Sequence, residues 1–337
     1  MDRVRVGVIG VGHLGRLHAS LYKQVSDADL AGIYDVNVEK NRQLASELNC
    51  KAFDSIDSLL QEVDAVNIVT PTITHYEVAA KALEQNKHVF IEKPITHKDE
   101  NARKLIELAE MKNRVVQVGH IERFNPAMLA LEDVNMEPLF IETHRLASFN
   151  PRGTDVAVVL DLMIHDIDII LHIVNSSIIK IEANGAGVLS SNVDIANARL
   201  EFENGCVANI TASRLSAKKM RKMRIFQKNA YISMDFIEGS SEIFYIPDED
   251  QIPFKDGTLA ISLGQIEQGE VKHDIKYNRL SRKNVNPLKN ELSSFVSSII
   301  NNLPPVVSAA DGLAALEIAH QVMEKIEKHR QIVEQHQ

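Results

Sequence analysis

Val4-Arg5-Val6-Gly7-Val8-Ile9-Gly10-Val11-Gly12-His13-Leu14-Gly15 carries an alternating apolar run directly into a G-x-G-x-x-G turn. The turn opens an amphipathic stretch from Arg16 to Gln24, so strand, glycine loop and helix follow in the order that a dinucleotide-binding βαβ unit requires. Gly10 supplies the tight turn, Gly12 lets the backbone approach a pyrophosphate with no Cβ between them, and Gly15 lets the helix lie close on the strand. The pyrophosphate would then sit on the unpaired N–H groups at the start of that helix, with His13 and Leu14 beside it.

A second strand, Leu30 to Tyr34, ends at Asp35, twenty residues beyond Gly15. A carboxylate there would accept hydrogen bonds from both ribose hydroxyls of an adenosine and repel a 2′-phosphate, which favours NAD over NADP. Lys40 and Arg42 follow closely and soften that preference. A glycine-rich turn without a ligand is the plainer alternative, but strand, helix and acidic residue agree on a cofactor.

Strand and helix patterns alternate as far as Gly119. Ala65 to Thr70 reads as a strand, Tyr76 to Gln85 as a helix, Val89 to Glu92 as a strand, Asp99 to Lys112 as a helix and Val115 to Gly119 as a strand. Such alternation builds a parallel sheet, whose ligands bind beyond the carboxyl ends of the strands. Thr70-Pro71-Thr72, Glu92-Lys93-Pro94 and Gly119-His120 therefore fall on the cofactor side.

After Pro126 the texture changes. β-type runs at Leu139–Ala147, Ile178–Val188, Asp194–Phe202, Val207–Leu215, Met223–Gln227 and Tyr231–Phe236 predict a large, mainly antiparallel open sheet in a second α+β domain. Helices are expected at Asp155–Val174, at Pro287–Ile300, and from Ala309 to about His329 behind an N-cap at Ser308. The expected division is residues 1–122 and 123–337, with the helix in 306–337 packing back on the first domain.

The chain has 337 residues, 45% hydrophobic and 25% charged, enough for two cores. A net charge of −9, with only the short basic run Lys218-Lys219-Met220-Arg221-Lys222, argues against a nucleic-acid surface. No segment has the length of a membrane span, no secretory pattern precedes the first strand, and the expected location is the cytoplasm. Cys50 and Cys206 lack metal-type spacing and read as reduced thiols.

Chemistry concentrates on the helix expected at Asp155–Val174. Asp161 and His165 are four residues apart, and Asp168 and His172 continue the same stripe among Val158, Val159, Leu162, Met163, Ile164, Ile167 and Ile170. Polar groups in apolar surroundings need partners or a cleft. Three readings stay open: a self-satisfied core network, a zinc or iron site, or acid–base catalysis with His165 exchanging a substrate proton and Asp161 tuning it. Only the last connects the stripe with a dinucleotide site. Lys93, at a strand tip, reads either as a surface lysine or as a group aimed past the nicotinamide toward substrate, with Pro94 fixing the turn, a place where a cis bond would aim the lysine.

Gly10-x-Gly12-x-x-Gly15, Asp35, Thr70-Pro71-x-x-x-His75, His88-Val89-x-x-Glu92-Lys93-Pro94, Arg123-Phe124-x-Pro126 and Asp161-x-x-x-His165-x-x-Asp168 together resemble the marks of the Gfo/Idh/MocA oxidoreductases. The resemblance implies a Rossmann domain followed by an α+β domain whose open sheet mediates homodimers or homotetramers. It implies cofactor contacts from Thr70, Pro71, His75, Glu92 and Lys93, and a catalytic set of Lys93, Asp161 and His165, with no metal. Gly119 to Pro126 and Asn150 to Asp155 are similar to the branch of that family acting on the 3-hydroxyl of UDP-N-acetylglucosamine. Arg123, Asn125 and Arg152 would then meet the substrate, the arginines suiting its diphosphate. Val158, Val159 and Met163 stand where many members carry glycines, so the substrate cavity is expected to have a different wall. The function implied is oxidation of a secondary alcohol on a sugar or nucleotide sugar. Its rivals are a dehydrogenase of free polyols or simple sugars and a non-catalytic NAD-binding regulator.

Overall fold

Val4, Val6, Val8, Ala65, Val66, Ile68, Val89, Phe90 and Ile91 are inaccessible to solvent, which is what strands covered on both faces require. They belong to a six-stranded parallel sheet in a computed structural model that describes residues 3–149, 156–190, 192–247, 260–268 and 271–334. The chain runs through β1 (Val4–Ile9), α1 (His13–Tyr22), β2 (Ala28–Tyr34), α2 (Val38–Leu48), β3 (Lys51–Ala52), α3 (Ile56–Leu60), β4 (Ala65–Ile68), α4 (His75–Glu84), β5 (His88–Glu92), α5 (Asp99–Lys112) and β6 (Val116–Gly119). The sheet order β3-β2-β1-β4-β5-β6 reverses between β1 and β4, the switch point at which doubly wound sheets bind nucleotides.

A different architecture follows. It comprises α6 (Pro126–Leu129), β7 (Pro138–Leu146), a π-type turn (Val159–Met163), α7 (Ile164–Val174), β8 (Ile178–Ala186), β9 (Ile195–Phe202), β10 (Val207–Ser213), β11 (Met220–Gln227), β12 (Ala230–Asp235), β13 (Ser240–Tyr245), β14 (Ile261–Gln268) and β15 (Val271–Ser281). Nine strands join in the order β14-β15-β13-β12-β11-β7-β10-β9-β8; β7 and β10 pair parallel and the other pairs are antiparallel. Alternation along β7 sends Ile141, Thr143 and Arg145 to the covered face, and Phe140, Glu142 and His144 to the open one. Strands β13 to β15 extend the sheet beyond the runs expected from sequence.

The chain divides into Met1–Phe124 with Asn286–Leu316, and Asn125–Val285 with Glu317–Gln337. The segment 286–316, assigned from sequence to the second domain, thus clusters with the first. The cause is apolar: α8 (Pro287–Asn301), capped by the Asn286 side chain, puts Leu288, Leu292, Phe295 and Val296 into the core that holds Val4, Val6, Tyr22 and Phe90. The rings of Phe90 and Phe295 meet edge to face at 5.8 Å. Helix α9 (Ala309–Glu334) starts at the expected Ser308, whose hydroxyl accepts from the Asp311 N–H at 3.1 Å while the Asp311 carboxylate accepts from the Ser308 N–H at 2.7 Å.

Candidate functional site

The glycine loop is built as a cradle. Gly10 has φ +91°, and a Cβ at Gly15 would fall 1.8 Å from the Gly10 carbonyl oxygen, so neither position accepts a side chain. A Cβ at Gly12 would meet nothing within 4 Å; the space it would enter is open above the start of α1. No side chain caps α1 and no acidic residue lies in its first turn, which leaves its N–H groups and positive dipole end to an anion. His13 and Leu14 are exposed at that helix start. Asp35 accepts the Val11 N–H at 2.7 Å and the Asn37 N–H at 2.8 Å, holding its carboxylate at the rim of the loop with lone pairs to spare. These residues fit a dinucleotide.

Further along the same sheet edge, His75 is 1% exposed, with Nε2 2.9 Å from the Thr70 carbonyl and Nδ1 2.9 Å from the Pro94 carbonyl. It pins the loop after β4 to the loop after β5 and makes no helix-capping bond. Burial pushes its pKa down, against the pull of the two carbonyls. Thr70 accepts from the Thr74 hydroxyl at 2.7 Å, and Pro71 is exposed. Glu92, Lys93 and Pro94 are half-buried at the end of β5, and the Lys93–Pro94 peptide is cis.

The second unit carries Asp161 and His165, but not on the uniform helix expected. Val159–Met163 forms a π-type turn that gives way to α7 at Ile164, so Asp161 is displaced from the α-helical stripe drawn through His165, Asp168 and His172. Asp161 and His165 are each partly exposed, Asp168 is 1% exposed and His172 lies at the surface, so the four do not share one environment. Val158, Val159 and Met163 are fully buried.

Two buried carboxylates, each beside an arginine, brace this segment, and sequence reasoning gave a role to neither. Asp166, adjacent to His165, takes a bidentate pair from Arg145 of β7, Nε to Oδ2 and the terminal nitrogen to Oδ1, both at 2.9 Å. Arg145 and Asp166 are each 2% exposed. Asp194 is wholly buried; burial opposes its ionisation, but the N–H groups of Leu189, Val188 and Ser190 and the Ser190 hydroxyl bring its pKa down to about 2. Arg214, beside it, donates to the Val156 carbonyl ahead of the π turn.

Of the remaining candidates, Asn125 has a structural use. Asn125 caps α6 by accepting from the Ala127 N–H at 3.0 Å and donates to the Phe236 carbonyl at 3.0 Å, so both ends of its amide are engaged. Arg123 is only 5% exposed on a 3-10 turn at Ile121–Phe124. Arg152 lies outside the described residues. Among those described, no group of three or more His, Cys, Asp or Glu side chains could hold a metal ion, and no helix is long and apolar enough to cross a membrane.

Comparison with known proteins gives the geometry a context. Residues 4–120 match a model of an oxidoreductase family with an NAD-binding Rossmann fold, and residues 141–233 match the GFO/IDH/MocA C-terminal domain. A UDP-N-acetylglucosamine 3-dehydrogenase of Acidithiobacillus ferrooxidans is 44% identical over 246 residues, covering 73% of this chain and 78% of that protein. A solved structure bearing that name superposes with TM-score 0.84 and 36% identity over 97% of this chain and 99% of the other. A myo-inositol 2-dehydrogenase of Thermotoga maritima is 26% identical over 98% of both chains.

Proposed function

The chain belongs to the GFO/IDH/MocA oxidoreductases, with an NAD-binding Rossmann domain, and from that premise we propose that it oxidises the 3-hydroxyl of UDP-N-acetylglucosamine. The observation that carries the reading is the position of the Lys93 turn. It ends β5, two strands from the glycine loop on the carboxyl edge of one sheet, in a chain 44% identical to a 3-dehydrogenase of that sugar nucleotide.

Bound NAD supplies a hydride acceptor for the carbinol carbon. The glycine loop and α1 hold the diphosphate, and Asp35 takes the adenosine ribose and selects against a 2′-phosphate. His75 fixes the two loops between which a nicotinamide would lie. His165 takes the hydroxyl proton as the C–H bond breaks and leaves a ketone, and Asp161 orients and balances the imidazolium formed. Lys93 donates a hydrogen bond to the same oxygen and stabilises the negative charge developing there, a contribution of about 3 kcal/mol in comparable oxyanion sites. Arg123 and Arg152 are the candidates for the UDP diphosphate.

The open face of the second sheet supports a homodimer or homotetramer. Phe140, Phe226, Tyr231, Phe244 and Tyr277 stand on directly paired positions of five neighbouring strands, with ring centroids 5.9, 5.0, 5.7 and 4.9 Å apart, and Phe226 is 40% exposed. An aromatic ladder on an otherwise polar face suits a self-complementary contact. The cytoplasm is the proposed location. The test is NADH formation with UDP-N-acetylglucosamine, free N-acetylglucosamine and myo-inositol compared in parallel. Turnover with the sugar nucleotide alone is expected; turnover with inositol and not the nucleotide would move the assignment to a polyol dehydrogenase.

A further inference from the structure

Tyr22, Asn67 and His18 are all inaccessible to solvent, and the mechanism above gives none of them a task. They form one chain of contacts inside the first unit. The Tyr22 hydroxyl donates to Asn67 Oδ1, and Asn67 Nδ2 donates to His18 Nδ1 at 2.9 Å. An imidazole nitrogen that accepts carries no proton, so the single proton of the neutral ring sits on Nε2. That nitrogen lies 3.0 Å from Glu92 Oε1, close enough for charge–dipole attraction although its N–H is not aimed squarely at the oxygen.

The other Glu92 oxygen accepts the backbone N–H of Lys93 at 3.2 Å. β6 closes the remaining side, where a Cβ at Gly119 would come within 3.0 Å of the Glu92 carboxyl. The edge of Phe90 packs on His18 with 5.6 Å between ring centres. The other titratable groups acting on this chain of contacts are Lys93 and His75 beside Glu92, and Glu291 of α8 near the Tyr22 phenol. A buried asparagine and phenol are costly unless satisfied, so this order of donors and acceptors is over-determined.

We propose that His18 is a positioning residue: locked by Asn67 and Tyr22 with its proton on Nε2, it keeps the Glu92 carboxylate ionised and turned onto the Lys93 backbone, so that Lys93 meets substrate as an ammonium. The proposal rests on the reading of Lys93 as the donor to the substrate oxygen. Burial opposes ionisation of Glu92, while the Lys93 charge and backbone N–H favour it.

The test titrates Lys93 directly. Competitive acetylation of the full-length protein across pH, read by peptide mass, gives the midpoint at which the Lys93 amine becomes reactive. Glu92→Gln and His18→Leu should each lower that midpoint by about one pH unit, and the double variant should lower it no further. His18→Gln, whose amide can donate to the carboxylate, should stay near the wild-type midpoint. An unmoved midpoint in His18→Leu, or His18→Gln falling as far as His18→Leu, would overturn the proposal. Should His18→Leu fail to fold, Tyr22→Phe decides: it frees Asn67 to turn over, so a lower midpoint supports the lock and an unchanged one removes it. Labelling needs no turnover, so a wild-type protein that forms no NADH would count against the proposed function alone.

Discussion

The two units hold their reactive side chains by opposite means. In the first, Lys93 and Asp35 stand at the ends of regular parallel strands and His75 at the start of α4, with Asp35 and His75 fixed by backbone groups of Val11, Asn37, Thr70 and Pro94. In the second, Asp161 rides on a π-type turn and His165 on the first turn of α7, both braced by buried charges, Arg145 with Asp166 and Asp194 beside Arg214. A strand end needs only its ladder to place a residue. An irregular helix start needs charged buttresses, and these put stability at stake along with activity.

Substitutions should separate the two modes. The largest effects are on turnover: His165→Gln should lower kcat by about 10²- to 10⁴-fold, the range for a lost general base, and Lys93→Met by about 10²- to 10³-fold. NADH binding, followed by its fluorescence, should survive both. Arg145→Met comes next. It removes the bidentate partner of the buried Asp166 carboxylate, and urea unfolding should register a loss of about 3 to 5 kcal/mol. Pairing it with Asp166→Leu should recover most of that loss; a single variant as stable as wild type would show that the second unit does not depend on its buttress.

Acid unfolding sharpens the contrast at smaller scale. The Asp194 carboxyl has its pKa depressed to about 2 in the folded unit, so its contribution is complete above the unfolded value near 4 and drains away as pH falls toward 2. That is worth about 2 kcal/mol, and Asp194→Asn should flatten the stability–pH curve in this window. In the first unit, burial and then Arg114 push His88 down to about 4 while its Nδ1 accepts the Val115 N–H at 3.0 Å. Below about pH 6.5 the unfolded chain protonates this histidine and the folded one does not, so stability falls between pH 6.5 and 4. His88→Gln should remove that dependence.

Legibility in the sequence follows the same division. The first unit's cofactor side was readable because its signals are local and periodic: alternating valines, then glycines at fixed spacing, then Asp35 at the next strand end. Its exception is α8, whose allegiance to the first core is set by packing with Tyr22 and Phe90 more than 190 residues away and leaves no local trace. The π turn was hidden because a π bulge alters hydrogen bonding without altering composition, so helical spacing put Asp161 and His165 on one regular stripe. The Arg145–Asp166 pair was hidden for want of a short-range rule joining a strand arginine to an aspartate 21 residues on. Asp166 did carry a signal, since it interrupts an isoleucine-rich helix on its buried side. Asn67 carried one too, as the lone polar residue of Ala65-Val66-Asn67-Ile68.

Single-turnover oxidation of UDP-N-acetylglucosamine deuterated at C3, followed by reduced-nicotinamide absorbance with enzyme and NAD in excess, tests whether Lys93 and His165 serve one hydroxyl. The account predicts NADH formation by the wild type, slowed by the deuterium, and its near loss in both Lys93→Met and His165→Gln. Wild-type rates in either variant, or NADH formation indifferent to the label, would contradict it.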